Sequence, residues 1–293
     1  MKGLSVIVVS YNTKDITLQC VTSLSSKLDN EHIAYEIIIV DNCSTDGSVE
    51  ALKKLDYGNL KIIYNTQNKG YGKANNQGLK TASKEYILFL NSDVIIDERI
   101  NFQELVTYLD ANKKIGALTV KVLLPNGSID PASHRGFPTV WRSFCYFFGL
   151  EKIFSFIPFL NKLFGGYHLI NLDRNTIHEI DSPTGAFFLV PSKLIKEMGG
   201  FDEDFFMYGE DLDLSFRIKE RGYKIIYYPM FSVLHLKYQS GLQNKNDEER
   251  KKRIKKSFFK TMAIFYRKHY EKIYPTFVSK IVYFFIHLKE ISV

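Results

Sequence analysis

Two groups of carboxylates carry the chemistry open to this sequence. The first is a single acid, Asp93, which follows the apolar run Tyr86-Ile-Leu-Phe-Leu90 and the turn formers Asn91 and Ser92. Such a run reads as a strand buried on both faces. An acid at the carboxyl end of that strand stands where open α/β sheets bind ligands. The plain alternative is that Asn91-Ser92-Asp93 is only a polar turn. The second group is Glu210, Asp211 and Asp213, at the start of a helix that follows Phe205-Phe-Met-Tyr208. Acids in a first helical turn are favoured by the helix dipole by about 0.3–1 kcal/mol each, which accounts structurally for one or two of them. The apolar collar adds desolvation, which raises a carboxylate's pKa and makes it a better general base.

Other side chains add to these two points. Asp93 offers a hard oxygen, and one carboxylate suits a Mg2+ or Mn2+ ion bound mainly through a diphosphate. His235, at the end of a later strand, is a further candidate ligand, although a lone histidine is more often structural. Asp41 has the chemistry to accept from a pyrimidine N3–H, and Lys73 to pair with phosphate. Gly70-x-Gly72 lacks the third glycine of a dinucleotide fingerprint and follows the third strand rather than the first, which argues against a nicotinamide cofactor. It either lets phosphate oxygens approach backbone amides or simply turns the chain.

Residues 4–9, 36–40, 60–64 and 86–90 read as the strands that position these groups. Helices are expected from the cap at Thr13 to about Leu24, over 49–55, and from Asn68 to about Ala82. That alternation gives parallel βαβ units in one sheet. Tyr11, Asp41, Lys73 and Asp93 then emerge on the same carboxyl edge. Further on, a helix over 99–112 and a strand over 117–120 are expected, with two late strands over 223–228 and 231–234.

The chain has 293 residues, 45% of them apolar, enough for one large α/β domain or two small ones. Net charge is +7, and much of the excess lies after Asn244. Cys20, Cys43 and Cys145 form no C-x-x-C pair, which argues against a disulfide framework and a zinc cluster and fits a reducing cytosol. The first apolar run is too short for a signal peptide, and no run is long enough to span a membrane, so a cytoplasmic protein is expected. Residues 137–170 hold Trp141, Phe144, Phe148, Phe156 and Phe159 with Arg142, Lys152 and Lys162 among them. They form either a buried helical pair or an apolar patch on a membrane surface. After the basic run 249–256, two apolar stripes follow at helical spacing: Ile254, Phe258, Met262 and Phe265, then Phe277, Ile281, Phe285 and Leu288. They suit a packed helix with a solvated face or a basic amphipathic helix on anionic lipid. The charge sits at one end and lacks an interleaved aromatic platform, so no nucleic-acid partner is expected.

Several motifs occur in order: Val6-Ile-Val-Val-Ser-Tyr-Asn12, Ile39-Val-Asp-Asn-Cys-Ser-Thr-Asp-Gly47, Asn68-Lys-Gly-Tyr-Gly-Lys-Ala-Asn-Asn-Gln-Gly78 and Phe89-Leu-Asn-Ser-Asp93. Thr184-Gly-Ala-Phe-Phe-Leu-Val190 and Gly199-Gly-Phe-Asp, continuing through Glu210-Asp-Leu-Asp213 to Arg217, complete the set. On these, residues from about 4 to 240 resemble the family 2 glycosyltransferases of GT-A fold, in their rhamnosyltransferase-like branch. One departure is that the family's D-x-D is here Asn91-Ser92-Asp93, without the first carboxylate.

The resemblance implies an α/β fold with a Rossmann-like, mostly parallel central sheet flanked by helices, followed by C-terminal amphipathic helices. Residues 1–240 would form the catalytic domain, with a nucleotide-binding half to about 95 and an acceptor-binding half over 96–240. Residues 137–170 would be an aromatic insertion in the second half, and 241–293 a basic helical tail. The implied reaction is an inverting transfer of a sugar, rhamnose among the candidates, from a dTDP- or UDP-linked donor to an acceptor hydroxyl. Asp211 would be the base, Glu210 would orient the acceptor, and Asp213 is the rival base. Ser10, Tyr11, Asn12, Asp41, Asn42, Lys73, Asn76, Asn91 and Ser92 would hold the nucleotide. Asp93 and His235 would hold Mg2+ or Mn2+. A glycan or lipid-linked acceptor would bring the aromatic segment and the tail to the inner face of the cell membrane. Two alternatives are a sugar-nucleotide nucleotidyltransferase and a catalytically inactive nucleotide-sugar-binding protein. The former needs a glycine-rich loop with Arg and Lys after the first strand, which Ser10-Tyr11-Asn12-Thr13 is not.

Overall fold

A computed structural model describes residues 2–237 and 248–291, with side chains 248–251 and 253–255 left out. Asn244, Ile254 of the first stripe and most of the basic run 249–256 therefore lie outside the described side chains. The first half follows the expected alternation: β1 (Leu4–Ser10), α1 (Lys14–Asp29), β2 (Tyr35–Asp41), α2 (Ser48–Leu52), β3 (Leu60–Tyr64), α3 (Tyr71–Thr81) and β4 (Tyr86–Asn91). β1 pairs in parallel with β2 and β4, and β2 with β3. α1 outruns the expected stop near Leu24 because Leu28 extends its buried stripe of Cys20, Val21 and Leu24.

The second half runs through β5 (Val94–Ile96), α4 (Phe102–Ala111), β6 (Ile115–Leu123), α5 (Val140–Phe147), α6 (Leu150–Ile153), α7 (Pro158–Phe164) and β7 (His178–Ile180). It continues with β8 (Phe187–Pro191), α8 (Ser192–Glu197), α9 (Glu210–Glu220), β9 (Lys224–His235), α10 (Glu248–His269) and α11 (Thr276–Ile291). The strands join one sheet in the order β3-β2-β1-β4-β8-β6-β9-β5, with β7 also on β9. Beyond β4 the pairing is mixed: β8 runs antiparallel to β4, and β6 parallel to β9. The two late strands expected over 223–228 and 231–234 are one strand, β9. A bulge divides it where Val120 faces Tyr228 and Lys121 faces Ser232.

Alternate residues of each strand enter opposite cores. Val6, Val8, Ile37 and Ile39 pack under α1 and α4, whereas Ile7 and Ile38 pack with Leu79 of α3 and Leu214 and Ile218 of α9. A third cluster of Phe205, Phe265, Tyr266 and Tyr270 ties α10 to the start of α9. The aromatic segment corrects one expectation, because it is no buried helical pair. α5, α6 and α7 are short, only Cys145 of α5 is buried, and Phe156 and Phe159 are 80% and 78% exposed. Pro158 opens α7 rather than breaking a longer helix. The stripe on α11 is likewise left uncovered: Phe277, Ile281, Phe285 and Leu288 are exposed, while Ser279 is buried. Cys20, Cys43 and Cys145 are free thiols. Among the described residues no helix is long and apolar enough to cross a membrane.

Candidate active site

The carboxyl ends of β1, β2 and β4 open onto one cavity of about 1310 Å3. Tyr11, Asn12, Asn42, Asn91, Ser92 and Asp93 form one wall. Gly209, Glu210 and Asp211, at the start of α9, form another with Arg135 and Gly185. Asp93 and Asp211, far apart along the chain, thus share a cavity. Phe144 and Phe148 at the end of α5, Phe258 and Met262 of α10, and Ile281 and Phe285 of α11 extend it as an apolar cleft.

Asp93 is buried at the corner between β4 and β5. β5 runs antiparallel to β9, so Val94 faces His235. His235 Nε2 then lies 3.2 Å from Asp93 Oδ1, and its Nδ1 lies 3.0 Å from Asp130 Oδ2. The fully buried Asp130 also accepts from Lys237 Nζ at 2.7 Å and from the Ala132 amide at 3.0 Å. Burial works against a charged imidazole, but Asp130 and Asp93 outweigh it and hold His235 up at about 9. Burial also opposes the charge on Asp130, yet His235 and Lys237 keep that carboxyl well below the usual range.

These residues fit a divalent cation that is held partly by its ligand. Asp93 would supply an oxygen and His235 a nitrogen once the cation displaces the Nε2 proton that faces Asp93, and Asp130 fixes the imidazole as outer carboxylates do in metal sites. Among the described residues no three His, Cys, Asp or Glu side chains converge to hold a metal alone. Further ligands would come from a diphosphate and water.

The acid turn owes its shape to two left-handed residues, Tyr208 at φ +69° and Gly209 at φ +79°. Gly209 has no room for a side chain, since a Cβ there would lie 2.4 Å from Thr261 Cγ2. Asp211 Oδ2 accepts from Arg135 Nη2 at 2.6 Å and from the Gly185 amide at 3.3 Å, and Oδ1 accepts from the Leu212 amide at 2.7 Å. Glu210 is buried, and its Oε2 has no hydrogen-bond partner among the described residues. Burial, and then the charge on Asp211, push its carboxyl well above the ordinary range. Asp213 does not line the cavity. Its two oxygens accept from Arg217 Nε at 2.7 Å and pair with His269 Nε2 at 2.8 Å.

The remaining residues singled out in the sequence divide. Asn42 lines the cavity and organises the loop before α3, accepting from the Lys69 amide and donating to Asn68 Oδ1. Asp41 is fully buried just behind that wall. Its Oδ1 accepts from the Ser44 amide, and its Oδ2 has no partner among the described residues. Ser10, Lys73 and Asn76 stand outside the lining. Ser10 shares hydroxyl contacts with Thr13 and Thr17. Lys73 reaches Glu203 at 3.9 Å, and Asn76 holds the backbone of Phe201. Gly70 is needed for a close approach within the protein: a Cβ would sit 2.5 Å from Phe206 O, to which the Tyr71 amide donates. Sequence reasoning overlooks Arg135, Asp130 and His269. None belongs to a motif, and each acts through a partner distant in the chain.

Residues 5–164 match the family model described as glycosyl transferase family 2, and residues 167–285 match glycosyl transferase family group 2. The chain is 25% identical over 231 residues to a poly-beta-1,6-N-acetyl-D-glucosamine synthase of Staphylococcus aureus, covering 78% of this chain and 49% of that protein. It therefore spans about half the length of such relatives. It is 28% identical over 245 residues to rhamnosyltransferase WbbL of Escherichia coli, covering 78% of this chain and 82% of the relative. A solved mannosyltransferase, PcManGT of Pyrobaculum calidifontis, superposes with a TM-score of 0.58 at 18% identity, over 91% of this chain and 64% of that one. The fold is GT-A, an α/β mixed sheet flanked by helices. With a family model matched over more than half of its length, the chain belongs to glycosyl transferase family 2.

Proposed function

We propose that this protein transfers a sugar from a dTDP- or UDP-linked donor to an acceptor hydroxyl, with inversion, during assembly of a cell-surface polysaccharide. The observation that carries the reading is that Asp93 and Asp211 line one cavity. The similarity to a polysaccharide synthase and to a rhamnosyltransferase supports the substrate class and makes rhamnose a candidate sugar. The nucleotide lies along Tyr11, Asn12, Asn42, Asn91 and Ser92, and Asp41, fully buried behind them, orders the adjoining loop through the Ser44 amide. Asp93 and His235 would hold Mg2+ or Mn2+, which would neutralise charge on the departing diphosphate. PcManGT was solved with GDP-Man and Mn2+. Asp211 accepts the proton of the acceptor hydroxyl, whose oxygen attacks the anomeric carbon as the bond to the diphosphate breaks. Glu210, kept neutral by its surroundings, donates a hydrogen bond that orients the acceptor. Asp213, which does not line the cavity, is the weaker candidate for the base. A lipid-linked acceptor at the inner membrane face suits the apolar cleft and the exposed aromatic rings around it.

The test is a thermal-shift screen of UDP-, dTDP- and GDP-sugars with and without Mn2+, followed by assay of free nucleotide release. A bound donor at a hundred times its Kd should stabilise the fold by about 2.7 kcal/mol. Asp93→Asn should lose the Mn2+-dependent part of that shift. Asp211→Asn should keep nucleotide affinity and lose turnover by about 10²–10⁴. Normal transfer by Asp211→Asn sinks the base assignment. Pyrophosphate release from a nucleoside triphosphate and a sugar phosphate favours a nucleotidyltransferase instead.

A further inference from the structure

Helix α10 lies across the acid turn, and its contacts straddle Glu210 and Asp211. Before the acids, the Thr261 hydroxyl donates to Met207 O at 3.3 Å, and the same side chain occupies the space that a Cβ on Gly209 would need. After them, His269 Nε2 meets Asp213 Oδ1 at 2.8 Å. The His269 ring is wedged between Phe216 and Phe265, with centroids 4.3 and 4.7 Å away. Asp213 passes this hold to Arg217, whose Nη2 donates to Gly200 O at 2.9 Å. Lys268 adds ion pairs to Asp202 at 2.5 Å and Asp204 at 2.6 Å.

The turn between these contacts is strained. Tyr208 is a bulky residue in the left-handed region, a conformation unfavourable for any residue with a Cβ. Such strain persists only where the surroundings over-determine it. α10 supplies surroundings of that kind, including Phe258 against the Tyr208 ring. The same helix also walls the cavity with Phe258, Thr261, Met262 and Phe265.

We propose that α10 is a working part of the acceptor site rather than an appendage. His269, acting through Asp213, and Thr261, acting through Met207, are positioning residues. They hold the Tyr208–Gly209 turn in the shape that presents Asp211 and Glu210 to the cavity. This rests on the reading of Asp211 as the base. The nucleotide wall, built by β1, β2 and β4, does not depend on the contact, so loss of it separates turnover from nucleotide binding.

The experiment uses the full chain with His269→Ala, His269→Gln and Thr261→Val. It reads nucleotide release from UDP- and dTDP-sugars with Mn2+, UDP and dTDP affinity by calorimetry, and hydrogen exchange of amides 207–213. His269→Ala should lose turnover by about ten- to a hundredfold, with nucleotide affinity within about twofold and faster exchange at 209–213. His269→Gln, whose amide nitrogen replaces Nε2, should recover most of both. Thr261→Val keeps the packing and removes the hydroxyl, so it carries the test through exchange at 207–209 should His269→Ala not fold. Wild-type turnover and exchange in His269→Ala overturn the proposal, as does a nucleotide affinity that falls in step with turnover. If the wild type releases nucleotide from none of these sugars, the transfer reading fails by itself. Hydrogen exchange then decides the positioning claim, with faster exchange supporting it and unchanged exchange rejecting it.

Discussion

Arg135 places a guanidinium 2.6 Å from the carboxylate proposed to take the acceptor's proton. Burial weakens the charge on such a guanidinium, but Asp211 more than offsets it and holds Arg135 above its ordinary value. One residue along, Glu210 feels the same guanidinium only weakly, and burial, then the charge on Asp211, drives it toward the neutral acid. Neighbouring carboxyls in such different surroundings can take separate acid and base roles. Arg135→Ala would leave Asp211, only 13% exposed, without its cation. The expected cost is about 3 kcal/mol, or a fall in Tm of roughly 6–12 °C, with turnover falling as Asp211 loses the contact that orients it. A calorimetric melt matching the wild type would show that the pair contributes nothing to stability. Asp211 is legible in the sequence because three acids crowd one helical turn behind an apolar collar. Arg135 is not. It sits in His134-Arg135-Gly136, with no period or motif, and reaches Asp211 because its backbone bridges to Ser182. Asp130 is hidden for the same reason, since its partner His235 arrives by strand pairing from the far end of the domain.

At the scale of elements, Glu36 shows how one buried side chain fastens the strands that build the nucleotide wall. From β2 it accepts from Ser5 Oγ of β1 at 2.6 Å, from Lys61 Nζ of β3 at 2.6 Å, and from the amide and hydroxyl of Ser83 before β4. Burial pushes this carboxyl up, but Lys61 and the two serines overcome it and hold the pKa at about 2, below the ordinary 4.5. A carboxylate whose pKa is lower in the folded state stabilises fully above its unfolded value. That contribution is therefore intact above about pH 4.5 and is lost as pH falls through 2. The melting temperature of the wild type should drop more steeply across this window than that of Glu36→Gln, and parallel curves would remove Glu36 as the cause. The strands themselves are plain in the sequence, since β1, β2 and β4 are nearly continuous apolar runs. The break in β9 is not, because Pro229 reads as the end of a strand while the ladder with β6 resumes beyond a bulge. The α11 stripe misleads differently. Helical spacing reveals an apolar face but not what it meets, and here Ser279 is buried, Phe277 is exposed, and Ile281 and Phe285 open onto the cavity.

Over the whole molecule, two apolar surfaces lie on segments that also wall the cavity, through Phe144 and Phe148 in one and Ile281 and Phe285 in the other. One is the α5–α7 segment, with Phe148, Phe156 and Phe159 exposed beside Lys152 and Lys162. The other is on α11, with Phe277 and Phe284 exposed beside Lys280, while Ile281 and Phe285 continue the apolar surface into the cavity. Scattered exposed apolar residues need no explanation, but grouped aromatic rings rimmed by lysine fit an interaction surface. A bilayer partner would take the rings among its acyl chains and the ammonium groups at anionic headgroups. This face would hold the cavity mouth, and so Asp211, toward a lipid-borne acceptor. Phe156→Ser combined with Phe159→Ser removes two rings that pack on little else, so Tm should hardly move. Each ring that enters a bilayer contributes about 1.5–3 kcal/mol, so the double variant should lose at least about tenfold in binding to phosphatidylglycerol-rich vesicles. Raising the salt should weaken both proteins, and pure phosphatidylcholine should bind them less. Co-sedimentation of the double variant at the wild-type level, or a wild type that stays in the supernatant, would turn these rings back into ordinary surface and leave the acceptor to reach Asp211 from solution.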